Sequence, residues 1–248
     1  MKKLCGLEFG KIKKDSKLLQ NLSTNNYNYS IVNLNNKKTF NSKAINIGTI
    51  AIFVSDKNNA VIKINEKSYQ ISKYKYFDFR LKNLSISSSH KITFGIAGIK
   101  KKISKDIIKK FTEKNIYKVI KPWGYELWLN DEKSPYSFKK ILIKKGNRTS
   151  LQYHKKKIET NYLFKGKAEL VMSRKNGKNK INLILNNILT KKIKSGDYVN
   201  VKNYAVHRLR AITDIMLYEV STPHLDDVIR ISDDQQRNNG RISSEHRN

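Results

Sequence analysis

A single cysteine, Cys5, leaves the chain unable to form an internal disulfide. That excludes a disulfide-stapled secreted scaffold and fits a reducing cytoplasm. Proline is almost missing, with three in 248 residues, so the chain is not a proline-rich linker or a low-complexity tract. No window approaches the roughly 20 uninterrupted apolar residues of a membrane-spanning helix. The start, Met1-Lys2-Lys3-Leu4-Cys5-Gly6, carries charge with no sustained apolar run behind it, so no secretory leader is expected. The reading is a folded, soluble cytoplasmic protein without a membrane partner.

Acidic residues are scarce too, 20 against 51 basic ones, for a net charge of +31. Only nine of the basic residues are arginine. Nucleic-acid readers concentrate arginine and interleave aromatics in one patch. Here lysine is spread through Lys11–Lys14, Lys100–Lys102, Lys155–Lys157 and Lys191–Lys194, in a sequence also crowded with Asn and Ile. That is the mark of an AT-rich coding background. Nucleic acid is not an expected partner, whereas a general attraction for anionic small molecules is.

Short apolar or alternating runs from about Ile31 to Ala97 predict strands at Thr49–Val54, Ala60–Ile64, Ser68–Ile71, Tyr76–Phe79 and Lys91–Ala97. Turn clusters such as Asp56–Asn59 and Asn65–Lys67 separate them. Ser104 reads as an N-cap for a helix through Phe111, with Ile107, Ile108 and Phe111 on one face. Strand patterning resumes at Gly124–Leu129 and continues through Ser137–Ile143, Thr160–Ser173, Ile181–Leu185, Asp197–Val201 and Ile215–Val220. The predicted division is a β-domain over 1–102, a helical connector over 103–116, a second β-domain over 117–232 and a polar surface tail over 233–248.

Chemistry concentrates between Gly146 and Gly166. Residues two apart on a strand share a face, so Gln152 and His154 point the same way. The basic run after His154 can turn the chain and bring Glu159 back beside them. An amide oxygen, an imidazole and a carboxylate make three ligands of an open divalent-metal site. His207, after Gly196, is the candidate fourth. His90, His224 and His246 lack such a context.

These residues resemble a family. Gly146 to Gly166 fits the first cupin motif, G-x5-H-x-H-x4-E-x6-G, with Gln152 in place of the first His. Gly196 and His207 match the second, G-x5-P-x-G-x2-H, with Lys202 and Tyr204 in place of Pro and Gly. Ser150-Leu151-Gln152-Tyr153-His154 resembles the S-L-Q-x-H signature of type II mannose-6-phosphate isomerases. Lys121-Pro122-Trp123-Gly124-Tyr125-Glu126 resembles that domain's K-P-W-G-x-E opening, and Leu225–Arg230 with Asp233-Asp234 resembles its closing segment. The resemblance covers about 115 residues, all in the second half. Departures at Lys155–Lys157, Thr160-Asn161 and Gln235-Gln236-Arg237 bear on the substrate and leave the metal ligands in place.

The resemblance implies an all-β protein: a cupin jelly-roll barrel in the second half and a degenerate cupin-like domain in the first. It implies one divalent transition metal (Zn, Mn, Fe, Co or Ni) on Gln152, His154, Glu159 and His207. The implied activity is aldose–ketose isomerisation of a sugar phosphate or related anionic sugar through an enediolate, serving sugar-nucleotide or polysaccharide synthesis. Glu126, Lys140 and Arg230 are the candidate catalytic residues; Lys157, Tyr162 and Arg208 are the candidate substrate-binding ones. Each has a plainer reading: Lys155–Lys157 as a solvated turn, Arg230 as a partner of Asp226 or Asp227, Trp123 and Trp128 as packing. A lyase, dioxygenase or nucleotide-sugar epimerase on the same site stays open, as does a non-catalytic sugar- or metal-binding cupin. Exposed barrel edges make a homodimer a further expectation.

Overall fold

Strands with one face on a core alternate buried and accessible residues, and the Lys167–Ser173 strand does so: Ala168, Leu170 and Met172 are buried while Lys167 is exposed. This pattern recurs through the computed structural model, which describes residues 2–4, 6–12, 19–35, 38–43, 45–55, 60–71 and 75–246. Cys5, Lys13, Lys14 and the expected turn Asp56–Asn59 lie outside the described residues. The all-β expectation holds, in antiparallel sheets. No helix among the described residues is long and apolar enough to cross a membrane.

The chain divides into two units. One comprises Met1–Lys14, Lys118–Trp128 and Lys139–Asn248; the other comprises Asp15–Tyr117 and Leu129–Phe138. By this division the first residues belong with the second half of the chain and Leu129–Phe138 with the other unit.

The unit holding the candidate site is built on two sheets. The larger runs, in spatial order, Lys2–Leu4, Leu7–Lys11, Asp197–Val201, Glu159–Lys165, Ile215–Ser221, Ser137–Ile143, Gly124–Trp128 and Tyr117–Lys121. The smaller runs Ile188–Lys194, Lys167–Ser173, His207–Ala211, Leu151–Tyr153 and Ile229–Ser232. Between them sits an apolar core that includes Ile143, Leu163, Leu170, Val199, Val201 and Leu217. Burying each such side chain stabilises the fold by about 1.5–3 kcal/mol. The other unit has a six-stranded and a four-stranded sheet around a separate core of Ile50, Ile52, Phe77, Phe94 and their neighbours.

Three predicted elements differ. Thr160–Ser173 is not one strand but two, Glu159–Lys165 and Lys167–Ser173, split at Gly166. Gly166 has φ +96, and a Cβ there would meet the Asp214 carbonyl at 2.3 Å, so only glycine makes this turn. Ser104–Phe111 is not a helix: Ile107–Phe111 is a strand paired with Lys75–Arg80. Its β-branched Ile pair suits that sheet edge, and the helical part of the expected connector is one short turn, Glu113–Asn115. Conversely, Ile181–Leu185 is a single α-helical turn, not a strand. Only Ile184 in it is buried, so its apolar residues never face a common sheet side.

Candidate metal centre

Three strands and one turn bring the predicted ligands together. Gln152 pairs directly with His207 across the smaller sheet, while Glu159 opens a strand of the larger one. His154, Glu159 and His207 are buried, and their ligand atoms lie within 4.8 Å of one another. His207 Nε2 is 3.1 Å and His154 Nε2 is 3.7 Å from the Glu159 carboxylate. Gln152 lines the same pocket, with its Nε2 3.5 Å from His154 Nε2 and its Oε1 accepting from Ser150 Oγ at 2.7 Å. To ligate an ion, that amide must turn its oxygen inward.

Both imidazoles are aimed by their far nitrogens. His154 Nδ1 donates to the Asp227 main-chain carbonyl, and His207 Nδ1 donates to that of Ala205 at 2.9 Å. Each Nε2 is thereby left facing Glu159, the arrangement by which a protein fixes the tautomer of a metal-binding histidine. Asp227 also organises the turn between the motif residues. Its carboxylate accepts the main-chain N–H of Lys155 at 3.1 Å, of Lys156, and of Lys157 at 2.9 Å. Burial would raise the Asp227 carboxyl, but these N–H groups hold it below its ordinary value.

The lysine turn is only partly solvated. Lys155 and Lys156 are exposed, but Lys157 is buried. Its Nζ lies 2.7 Å from Glu159 Oε2 and 2.9 Å from Glu219 Oε1. Glu219, on the Ile215–Ser221 strand, was not anticipated from sequence. Burial, set against the Lys157 charge and reinforced by Glu159, raises its carboxyl. Burial pushes Glu159 up as well, yet Lys157, His207 and His154 hold it well below the carboxylate range. The two histidines diverge: burial takes His154 down to about 4, whereas Glu159 more than offsets burial and raises His207.

These side chains fit a divalent cation. Two imidazole nitrogens and a carboxylate converge in a buried pocket, with an amide beside them, a donor set suited to Mn, Fe, Co, Ni or Zn. The Lys157 ammonium already occupies Glu159 Oε2 and contacts Glu219 Oε1 at the same time, so an ion would meet it there.

Of the remaining predicted residues, Glu126 and Arg230 line the pocket, but Lys140, Tyr162 and Arg208 do not. The reason is strand parity. Lys139 and Ile141 face the pocket, so Lys140 faces away; Glu159, Asn161 and Leu163 face it, so Tyr162 does not; His207 and Leu209 exclude Arg208 in the same way. Arg208 instead donates to the Ser232 carbonyl at 2.8 Å and pins the last strand. Asn161, missed from sequence, donates to Glu159 Oε1 at 3.1 Å.

Glu126 is already engaged. Its Oε2 accepts from Trp128 Nε1 at 2.9 Å and Lys139 Nζ at 3.0 Å. Burial opposes ionisation there, but Lys139 and Lys121 bring the carboxyl down to about 2, which makes it a poor proton acceptor. Arg230 pairs with neither Asp226 nor Asp227: its Nη1 donates to the carbonyls of Asn238 and Gly240. The segment it touches belongs to the expected surface tail, and Gly240, Arg241, Ile242 and His246 in fact line the pocket.

No protein-family model matches the chain, and no curated protein matches it by sequence. Solved structures do match. An IolB-like protein from Salmonella typhimurium LT2 superposes with a TM-score of 0.68 at 10% identity, covering 86% of this chain and 92% of its own. Oxalate decarboxylase from Lactobacillus farciminis, in its formate complex, gives 0.63 at 11% identity over 93% and 89%. Protein YlbA of E. coli gives 0.62 at 12% identity over 90% and 93%. At these identities the likeness speaks to fold, and the fold is the cupin jelly roll. None of the three is a mannose-6-phosphate isomerase.

Proposed function

We propose that this protein is a metal-dependent cupin enzyme acting on an anionic sugar, and that its reaction is aldose–ketose isomerisation of a sugar phosphate. The observation that carries this reading is the convergence of His154, Glu159 and His207 within 4.8 Å in a buried site, inside a pocket also lined by Lys121, Lys139, Arg230 and Arg241. The choice of isomerisation rests on the Ser150–His154 run and the flanking segments that resemble the isomerase domain.

A divalent ion on Gln152, His154, Glu159 and His207 would supply Lewis acidity toward the substrate's carbonyl and neighbouring hydroxyl oxygens. The protein's own part is to hold the sugar, exclude water and move one proton from C2 to C1. Glu219 suits that transfer better than Glu126, because its proton affinity is raised by burial while that of Glu126 is depressed to about 2. Lys157, bonded to Glu219, can shield whichever carboxylate is ionised at each stage.

A second reading has its own support. Lys157 neutralises Glu159 without any metal, which suits a non-catalytic cupin that binds an anionic sugar. The other unit is read as a degenerate second barrel, with no ligand cluster among its described residues. Purified protein should convert at least one member of a panel of hexose and pentose phosphates, and a chelator should abolish turnover until metal is returned. Bound metal with no isomerisation of any sugar would move the assignment to another cupin reaction; oxygen consumption would single out a dioxygenase.

A further inference from the structure

The C-terminal segment from Asn238 to His246 is tied down on the site unit by polar contacts that belong to its own residues. Gly240 N donates to the Val228 carbonyl at 2.8 Å, and Asn239 Oδ1 accepts from Arg230 N at 2.7 Å. Glu245 bridges Lys121 Nζ at 2.7 Å and Arg237 Nη1 at 3.0 Å, with all three side chains almost buried. The His246 ring packs edge-on to Trp128 at 5.4 Å, and the Arg241 guanidinium lies 5.6 Å from the same ring. A segment held this way is a wall of the pocket, and Arg241 is the cation it brings there.

Charge in that wall is unevenly balanced. Arg237 is matched by Asp233 and Glu245, Lys121 by Glu245, and Lys139 by Glu126. Arg230 is not matched in this way: Nη1 meets only main-chain carbonyls, and its buried Nε has no hydrogen-bond partner. A buried guanidinium edge without a partner costs stability unless something else accepts from it. An anionic oxygen from a small molecule would do so, and Arg241 lines the same pocket.

We propose that Arg241, carried into the pocket by the C-terminal segment, is a specificity-determining residue that together with Arg230 holds the anionic end of the substrate, a phosphate or a carboxylate. This rests on the reading of the pocket as a site for an anionic sugar, and it adds that recognition of the anion depends on the last residues of the chain and not on the metal ligands. Planar guanidinium groups are suited to such oxygens because they offer paired N–H donors.

The test is calorimetric titration of the full-length protein with inorganic phosphate and, separately, acetate. The proteins compared are the wild type, Arg241→Gln, Arg241→Lys and the control Arg210→Ala, whose side chain lies outside the pocket on Glu169. One anion should bind the wild type. Affinity should fall about tenfold or more in Arg241→Gln, recover in part in Arg241→Lys, and stay unchanged in Arg210→Ala. Which anion binds tells phosphate from carboxylate. Thermal melts confirm that each variant is folded. No anion binding to the wild type, or equal binding by Arg241→Gln, overturns the inference. Metal content read on the same samples separates the two levels. Arg241-dependent binding by protein that holds no metal supports this inference while contradicting the metal-enzyme reading.

Discussion

Lys157 and Glu159, two residues apart in sequence, form a buried ion pair with Nζ 2.7 Å from Oε2, and the same ammonium reaches Glu219 at 2.9 Å. A lysine thus stands where a bound cation would exert its charge, and it has an alternative carboxylate to retreat to. On the proposed reading the ammonium and a divalent ion would compete for Glu159, and several consequences can be measured.

Replacing Lys157 with Met leaves Glu159 and Glu219 buried together without a countercharge. In metal-free protein the expected cost is about 3–5 kcal/mol. Saturating Mn²⁺ or Zn²⁺ should restore a large part of it, since the ion supplies the missing positive charge. Denaturant unfolding with and without metal checks this, and a Lys157→Met protein as stable as the parent in chelator would contradict the rivalry.

Asp227 fixes both the turn and one candidate ligand, through three main-chain N–H groups on its carboxylate and its own carbonyl on His154 Nδ1. Asp227→Ala should cost about 1–3 kcal/mol of stability. It should also weaken metal affinity by roughly 10–100-fold, the usual effect of loosening an outer partner of a ligand. Competition against a chromophoric chelator gives the affinity; an unchanged value means that the turn is held by other contacts.

Gln152 lies at the edge of the cluster, its oxygen engaged by Ser150. Gln152→Ala should therefore lower metal affinity less than His207→Ala does. Gln152→His, which restores an imidazole at that position of the motif, should raise it. The same chelator competition ranks the three, and a Gln152→Ala loss as large as that of His207→Ala would make the amide a full ligand.

Asp78 gives a pH signature in the other unit. Thr49 Oγ1 donates to it at 2.7 Å and also lies 2.7 Å from the Tyr136 hydroxyl. Burial, outweighing the Thr49 hydrogen bond and Lys109, takes its carboxyl from 3.8 up to about 6. A folded-state value above the unfolded one means the unfolded chain loses this proton first. The stability it contributes is complete below pH 3.8 and is lost as pH rises through about 6. Asp78→Asn should remove that slope and make the protein more stable at pH 7 by about 1–3 kcal/mol. Denaturation curves at pH 4, 6 and 8 test it; parallel pH profiles for the two proteins would refute it.

The candidate ligand cluster was legible because ligation demands particular side chains at particular spacings. Gln152, His154, Glu159 and His207 stand at motif positions, and folding brings them together. The expected site residues that do not line the pocket share one cause. Lys140, Tyr162 and Arg208 each sit one residue from a pocket-facing side chain, and a one-residue shift on a strand turns a side chain to the opposite face. Counting by twos from Glu159 would have found Asn161. Counting could not have found Glu219, because its closeness to Lys157 spans 62 residues. The place of Arg241 and His246 in the pocket was also hidden, since a polar tail with Gly and Asn carries no periodic signal. Ser104–Phe111 and Ile181–Leu185 were short enough for helix and strand patterns to coincide, so pairing partners decided them.

The most direct measurement is metal content by elemental analysis of the purified wild type, Glu159→Ala and His207→Ala, each dialysed against a divalent-metal mixture and then metal-free buffer. The account predicts close to one transition-metal ion per wild-type chain and almost none in either variant, with all three folded by circular dichroism. Wild-type protein without metal, or metal retained equally by both variants, would contradict it and leave the Lys157 ammonium as the cation paired with Glu159.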